Sequence, residues 1–263
     1  MGKARDLKLP VGRVFLAVDG SRSSWRGVEI TLSLVRAMGS RVTIVHVVPP
    51  GRAGGSIPTE EEKSAESFVS GVRNALAREG VKARTELIRY GNPRAAIVKL
   101  ARRGWCDLMV IGSGGDEGWD VYSVGETAMG VAVDFPGPVL LVKKRSGFSV
   151  VTLLVEEGGE LADVDLAIGL AGSLGGRMNF LVAGSGESGD GTLRWAMQRA
   201  CDAGIVPAGA VVGGDPDGIS RTAGRQGTTT MVVRRRRGLL SRIRGGDLAM
   251  EIACGCTCSV LLL

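Results

Sequence analysis

The sequence predicts an α/β protein made of two tandem domains, each a doubly wound, five-stranded parallel sheet flanked by helices. Three observations predict this fold. Short apolar runs rich in Val, Leu and Ile alternate with helical segments. The order of these segments repeats once along the chain. Glycine is abundant, at 41 of 263 residues, as expected where many tight turns join strands to helices. We predict the domains to cover residues 1–146 and 147–263.

The first half alternates between predicted strands and helices. Val14–Val18 is an apolar run that ends in Asp19-Gly20-Ser21, a turn that also suits the start of a helix. Val42–Val48 is a β-branched run interrupted by His46, typical of a strand buried on both faces. The other predicted elements are a helix to about Met38, a helix from about Thr59 to Arg78, a strand over Arg84–Arg89, a helix over Pro93–Arg103, a strand over Leu108–Ile111, a helix near Val124–Val133 and a closing strand over Val139–Val142.

The second half repeats this order in diverged form. Thr152–Val155 matches the first strand, Met231–Val233 matches the strand at 109–111, and residues 260–263 match the closing strand. Gly-Asp-Pro at 214–216 corresponds to Gly-Asn-Pro at 91–93. The match is weakest over 184–204, where we expect the second copy to have lost part of a loop and a helix.

Composition narrows the class of protein. No run of eighteen apolar residues is present and the amino terminus has no apolar signal region, so we expect neither a membrane partner nor secretion. Five cysteines, an odd number without the spacing of a disulfide framework, favour the reducing cytoplasm. Cys254, Cys256 and Cys258 alternate; a metal or redox site is one interpretation, but small buried thiols fit this spacing better.

The first half resembles the universal stress protein family over nearly its whole length. In that family the loop after the fourth strand carries a Gly, two residues, a Gly, nine residues, a Gly and then Ser or Thr. Gly112, Gly115 and Gly125 fall on the three glycine positions. Further matching segments are Val18-Asp19-Gly20-Ser21, His46-Val47-Val48, Gly91-Asn92-Pro93 and Pro136-Gly137-Pro138-Val139. The resemblance implies the fold of universal stress proteins and adenine nucleotide alpha hydrolases, with the tandem copies forming an intramolecular domain pair at their fifth strands.

The resemblance also implies a site for an adenine nucleotide, ATP or AMP, at the carboxyl ends of the strands in the first half. Glycines let backbone N–H groups approach a phosphate, and the helix that follows adds positive potential at its amino terminus. Asp19 is expected beside the nucleoside. The full predicted set is Asp19, Val47, Gly112, Gly115, Gly125, Glu126 and Thr127.

Glu126 stands where the family has Ser or Thr, and this difference argues against phosphate binding. An ionised carboxylate about 4 Å from a phosphate oxygen costs roughly 4 kcal/mol at an effective dielectric near 20. A shift of register that used Thr127, or a Mg²⁺ ion between carboxylate and phosphate, would restore binding. Mg²⁺ is therefore expected only with a triphosphate, and nucleotide binding stays open.

The second half departs further from the family pattern. Arg234–Arg237 replace the first glycines of the loop, Asp247 takes the place of Glu126, and Glu156 takes that of Asp19, so we expect no family-type site there. The arginine run, with Arg242 and Arg244, suits either capture of an anion or a solvated loop with salt bridges. Because no aromatic residues are interleaved, the run argues against a nucleic-acid partner.

Two functions follow from this sequence. The favoured one is a cytoplasmic regulatory or binding protein of the universal stress type, whose first half binds an adenine nucleotide or has lost that ability. The alternative is a scaffold that binds no nucleotide and docks onto a partner protein. Neither a homodimer nor a protein partner is excluded. Catalysis is not expected, because no evident base or nucleophile is present and the only histidine, His46, lies in an apolar run.

Overall fold

The computed structural model describes residues 8–48, 60–89, 91–114, 124–156, 159–235 and 247–263. The chain folds into two compact units, with the boundary between Val142 and Lys143. Each unit is an α/β sandwich of helices on a parallel sheet.

Within the described residues, the first unit contains five strands and four helices in strict alternation. They are β1 (Arg13–Ala17), α1 (Arg22–Met38), β2 (Arg41–Val48), α2 (Glu60–Arg78), β3 (Ala83–Arg89), α3 (Pro93–Arg103), β4 (Leu108–Gly112), α4 (Glu126–Asp134) and β5 (Val139–Val142). Every strand predicted for this half is present, with its ends shifted by one residue or not at all. Gly115 and its neighbours 116–123 lie outside the described residues, as does Thr59.

The strands of the first unit lie in the order β3-β2-β1-β4-β5, and all neighbouring pairs are parallel. The chain moves outward from β1 to β3 and then crosses back to β4 and β5. Because parallel crossovers are right-handed, this reversal places α1 and α2 on one face and α3 and α4 on the other. The strands β1, β4 and β5 are thus buried on both faces, which is why they are apolar runs, whereas β3 carries Arg84 and Glu86 and is partly exposed.

Local sequence signals set where the helices begin and end. Ser21 caps α1, its hydroxyl accepting a hydrogen bond from the N–H of Ser24 at 3.2 Å, and Gly39 ends the helix in the left-handed conformation at φ 68°. Asn92 caps α3 in the same way at 3.0 Å, with Pro93 in the first turn. These caps fix the positions of both helices at the sheet edges.

The second unit repeats the arrangement. Its elements are β6 (Val150–Glu156), α5 (Leu161–Ser173), β7 (Arg177–Ala183), α6 (Gly186–Asp202), β8 (Ala208–Val212), α7 (Pro216–Arg225), β9 (Thr230–Val233), α8 (Leu248–Gly255) and β10 (Ser259–Leu262). The strand order within this unit is β10-β9-β6-β7-β8, again all parallel. The prediction of two α/β units with parallel sheets is confirmed.

One expectation for the second half is wrong. The sequence indicates that residues 184–204 have lost part of a helix, but α6 is a full helix of 17 residues against 19 in α2. Its first two turns contain Gly186, Gly189 and Gly191, which lower helix propensity and obscure the periodic pattern. Only the preceding loop is short. Gly189 allows the helix to approach β8 closely, since a Cβ at this position would lie 3.0 Å from Val211 Cγ1.

None of the helices among the described residues is both long and apolar enough to cross a membrane.

Candidate functional site

The first unit has its topological switch point between β1 and β4. From these two strands the chain leaves toward opposite faces of the sheet, which opens a crevice at their carboxyl ends. Strand register brings the predicted residues to this edge. Ala17 pairs with Val45 on one side and with Ile111 on the other, so the chain reaches Asp19, Val47 and Gly112 at the same end of the sheet.

Asp19 follows β1 and is exposed at the crevice. Its Oδ1 accepts a hydrogen bond from the N–H of Ser21 at 3.0 Å, which holds the turn into α1. Gly20, between them, has φ 91°, a left-handed conformation that favours glycine. The turn therefore fixes the carboxylate of Asp19 while leaving one oxygen turned away from that hydrogen bond.

Gly112, the last residue of β4, allows the amino terminus of α1 to approach the sheet. A Cβ at this position would lie 2.6 Å from Ser23 Oγ and 2.9 Å from the backbone nitrogen of Ser24. The next residues of the loop are held in place as well, since Gly114 N–H donates to Ser23 Oγ at 3.3 Å and Ser113 N–H donates to Val142 O at 2.9 Å. The first glycine of the motif thus serves packing, and two loop N–H groups are already occupied by protein acceptors.

His46 and Val47 complete the edge from β2. His46 Nδ1 lies 2.7 Å from the carbonyl oxygen of Val18, and its ring packs against Phe68 with ring centroids 6.0 Å apart. Val47 is buried, with only 9% of its surface exposed. The Nδ1 contact holds the His46 ring against the residue that follows β1.

Gly125 and Glu126 begin α4 on the far side of the crevice. Gly125 is the N-cap and supplies no side-chain hydrogen bond, while its N–H donates to Ser113 O. Glu126 is the first helical residue and is exposed, and Thr127 follows it, half-buried. A carboxylate in the first turn interacts favourably with the helix dipole, so Glu126 supplies the negative charge that a phosphate would otherwise bring.

A cation that interacts with Glu126 is already engaged by another carboxylate. Arg94 donates two hydrogen bonds to the carboxylate of Asp134, at 2.6 and 2.8 Å. The hydrogen bond to Asp134 raises the pKa of Arg94, and the negative charges of Asp134 and Glu126 raise it further. Desolvation of the guanidinium opposes these effects. The guanidinium therefore neutralises Glu126 only in part.

The second unit has the equivalent crevice, at the carboxyl ends of β6 and β9, but its side chains differ. Arg235 N–H donates to Leu263 O, just as Ser113 N–H donates to Val142 O in the first unit. Arg235 therefore matches Ser113, and the preceding residue, Arg234, takes the position of Gly112. The crevice is a pocket of about 290 Å³, and its lining includes Arg234 and Glu156. Glu156 takes the position that Asp19 has in the first unit.

Arg234 closes this pocket with an ion pair. Its Nε lies 2.5 Å from Asp163 Oδ2, a second guanidinium nitrogen bonds Asp163 Oδ1, and Glu160 Oε2 lies 3.7 Å away. Asp163, in the first turn of α5, is 8% exposed. The guanidinium thus lies between the end of β9 and the start of α5, at the position of the first glycine of a family-type loop.

Asp247, the equivalent of Glu126 in sequence, has another local role. It is the N-cap of α8, and its Oδ1 accepts a hydrogen bond from Ala249 N–H at 3.1 Å. Arg236, Arg237, Arg242 and Arg244 lie outside the described residues. Within the described residues, no group of three or more His, Cys, Asp or Glu side chains could hold a metal ion.

Sequence reasoning missed the hydroxyl cluster at the start of α1. Ser21 Oγ and Ser23 Oγ lie 2.9 Å apart, and Ser24 Oγ donates to Ser21 O at 2.9 Å. The signal was present as Ser-Arg-Ser-Ser directly after the Asp-Gly turn. It also missed the pair formed by Arg234 and Asp163, because 71 residues separate them in sequence.

Comparisons with known proteins agree with this architecture. The sequence profile of the universal stress protein family matches residues 10–143. A universal stress protein of Thermus aquaticus is 31% identical over 133 residues, which are 49% of this chain and 97% of that protein. The structure of a universal stress protein from Archaeoglobus fulgidus DSM 4304 covers 95% of this chain and 97% of its own, with 18% identity and a TM-score of 0.77. A universal stress protein from Archaeoglobus fulgidus, solved in complex with dAMP, is 25% identical over 51% of this chain and 98% of its own, with a TM-score of 0.41.

Proposed function

This chain belongs to the universal stress protein family, and we propose that it is a regulatory protein whose first unit binds an adenine nucleotide at the carboxyl ends of β1 and β4. The observation that supports the proposal most is the convergence of Asp19, the Gly112–Gly114 turn and the capped start of α1 at one sheet edge. Such crevices are the usual ligand sites of open parallel sheets.

The side chains of this edge suit the nucleoside part of the ligand. An exposed carboxylate accepts hydrogen bonds from ribose hydroxyls, and Asp19 is fixed for this by the N–H of Ser21. Val47, at the same level of the sheet, offers apolar and backbone surface to a purine ring.

The site offers fewer favourable contacts to the phosphate part of the ligand. Among the described loop residues, the N–H groups of Ser113, Gly114 and Gly125 already donate to protein oxygens. Glu126 adds a negative charge at the start of α4. We therefore propose that adenosine and AMP bind with similar affinity and that ATP gains little from its additional phosphates.

Calorimetry of the full chain with adenosine, AMP and ATP, without divalent ions, tests this proposal. Asp19→Asn should weaken AMP binding at least tenfold, because a neutral amide replaces the charged acceptor. Glu156→Gln is the matched control at the equivalent position of the second unit and should leave AMP affinity unchanged. If neither adenosine nor AMP binds, the scaffold alternative is favoured; if affinity rises steeply with each phosphate, our interpretation of Glu126 is wrong.

A further inference from the structure

Two buried cysteines lie together where α8 ends and β10 begins. Cys256 is the C-cap of α8, its N–H donating to Ile252 O at 2.9 Å, and Cys258 lies opposite Arg145 in a parallel bridge just before β10. Their exposed fractions are 1% and 3%, whereas the neighbouring Cys254 is exposed. Both thiols are free.

The backbone between them suits a disulfide. Cys256 has extended dihedrals, φ −77° and ψ 142°, the chain bends at Thr257, and the side chains of Cys256 and Cys258 hydrogen-bond each other. Even in an extended chain, residues two apart are separated by only about 6.6 Å between Cα atoms. That distance lies within the range of roughly 4.4–6.8 Å found for disulfides.

A buried cation adjoins the pair. Lys143 is 3% exposed, and its Nζ donates to Cys256 O at 2.6 Å and to Cys254 O at 3.2 Å. Cys256 Sγ also lies 3.3 Å from Ser220 Oγ. Lys143 donates to backbone oxygens and the Cys256 thiol donates to Ser220 Oγ, so a positive charge and a hydroxyl lie near the sulfur and favour its thiolate.

The two thiols differ in acidity as a result. A hydrogen bond with Cys258 lowers the pKa of Cys256 to about 7. A hydrogen bond with Ser220 and the charge of Lys143 also lower this pKa, whereas burial opposes them. The same hydrogen bond and burial raise the pKa of Cys258. Near neutral pH, Cys256 is therefore the more readily ionised of the two thiols, and Cys258 stays protonated.

We propose that Cys256 and Cys258 are an oxidation site at which a small hydroperoxide forms a reversible intrachain disulfide. The Cys256 sulfur attacks a peroxide oxygen of H₂O₂, the O–O bond breaks, and hydroxide leaves to combine with the proton that the thiol has lost. The product is a sulfenic acid at Cys256. The Cys258 sulfur then attacks Cys256, the S–S bond forms, the S–O bond breaks and water leaves. Two thiols lose two electrons and two protons, and one peroxide becomes two waters.

The experiment follows the oxidation state of each cysteine in the folded full chain. Reduced protein is treated with one equivalent of H₂O₂, alkylated, digested with trypsin and measured by mass spectrometry. The last tryptic peptide begins after Arg244 and contains all three cysteines. In the variant Cys254→Ser, this peptide contains only Cys256 and Cys258. We expect it to lose two hydrogens, to resist alkylation and to regain both thiols with dithiothreitol.

The variant Cys258→Ser tests the role of the second thiol. Cys258→Ser should form no disulfide in this peptide and should instead accumulate a sulfenic acid that dimedone traps at Cys256. Cys254→Ser should form the disulfide at a rate within about twofold of the parent chain, because Cys254 takes no part in the exchange. If oxidation of the parent chain consumes Cys254 or Cys201 while Cys256 and Cys258 remain thiols, the proposal is overturned.

Discussion

Replacing Glu126 by Ser restores the hydroxyl that the family has at the start of the fourth helix and removes one negative charge from the crevice. Glu126 is exposed, so water screens it, and its repulsion of a phosphate about 4 Å away falls from roughly 4 kcal/mol toward about 1 kcal/mol. A hydroxyl hydrogen bond to the phosphate adds about 1 kcal/mol. The sum, about 2 kcal/mol, corresponds to roughly thirtyfold in affinity.

We therefore expect Glu126→Ser to bind ATP at least tenfold more tightly than the parent chain. The free protein should change little, because a first-turn carboxylate contributes about 0.3–1 kcal/mol of dipole interaction. Calorimetry with ATP in the absence of divalent ions measures the affinity, and thermal unfolding without ligand checks the fold.

Asp247→Ser is the matched control. It makes the same replacement at the equivalent position of the second unit and keeps a capping side chain for α8. We expect no gain in ATP affinity, since Arg234, paired with Asp163, still occupies the position of the first glycine of the loop. Equal ATP affinity for the parent chain and Glu126→Ser would show that the glycine loop of the first unit does not bind phosphate.

Three further predictions concern stability, measured by urea unfolding. Gly112→Ala should destabilise the protein by about 1–3 kcal/mol, because the new methyl meets Ser23 and the backbone of α1. In the control Gly71→Ala the new methyl has nothing within 4 Å, so this change should stabilise α2 by about 0.5–1 kcal/mol. Equal effects of the two substitutions would contradict the packing argument. Arg234→Gly should lower the free energy of unfolding by about 2–3 kcal/mol, because it leaves Asp163 buried without that partner. The double variant Arg234→Gly with Asp163→Ser should recover most of this loss. Additive losses from the two substitutions would show that the pair is not coupled. Asp247→Ala should cost about 1 kcal/mol through loss of the cap on α8, and an unchanged midpoint would refute that role.

The fold was predictable because its information is local. Most strands of the first unit are apolar runs, and Ser21 and Asn92 are caps that can be recognised from sequence alone. The helix α6 was underestimated because three glycines in its first two turns weaken the periodic signal, while tertiary packing against β7 and β8 maintains the helix.

The site was predictable only in outline, because its details depend on contacts between distant segments. The sequence indicated Gly112 as a phosphate contact, but its proximity to Ser23 depends on how α1 packs on β4. Likewise, Arg234 belonged to a charged run in the sequence, and its partner Asp163 became evident only from the fold.

Hydrogen exchange of the full chain with and without saturating AMP tests the central claim most directly, because it reports which unit binds. We predict slower exchange around Asp19 and the start of α1, and around Gly112–Gly114. We predict no change around Glu156 and the start of α5, where Arg234 and Asp163 are paired. Protection confined to the second unit, or no protection in either unit at saturating AMP, would contradict nucleotide binding by the first unit.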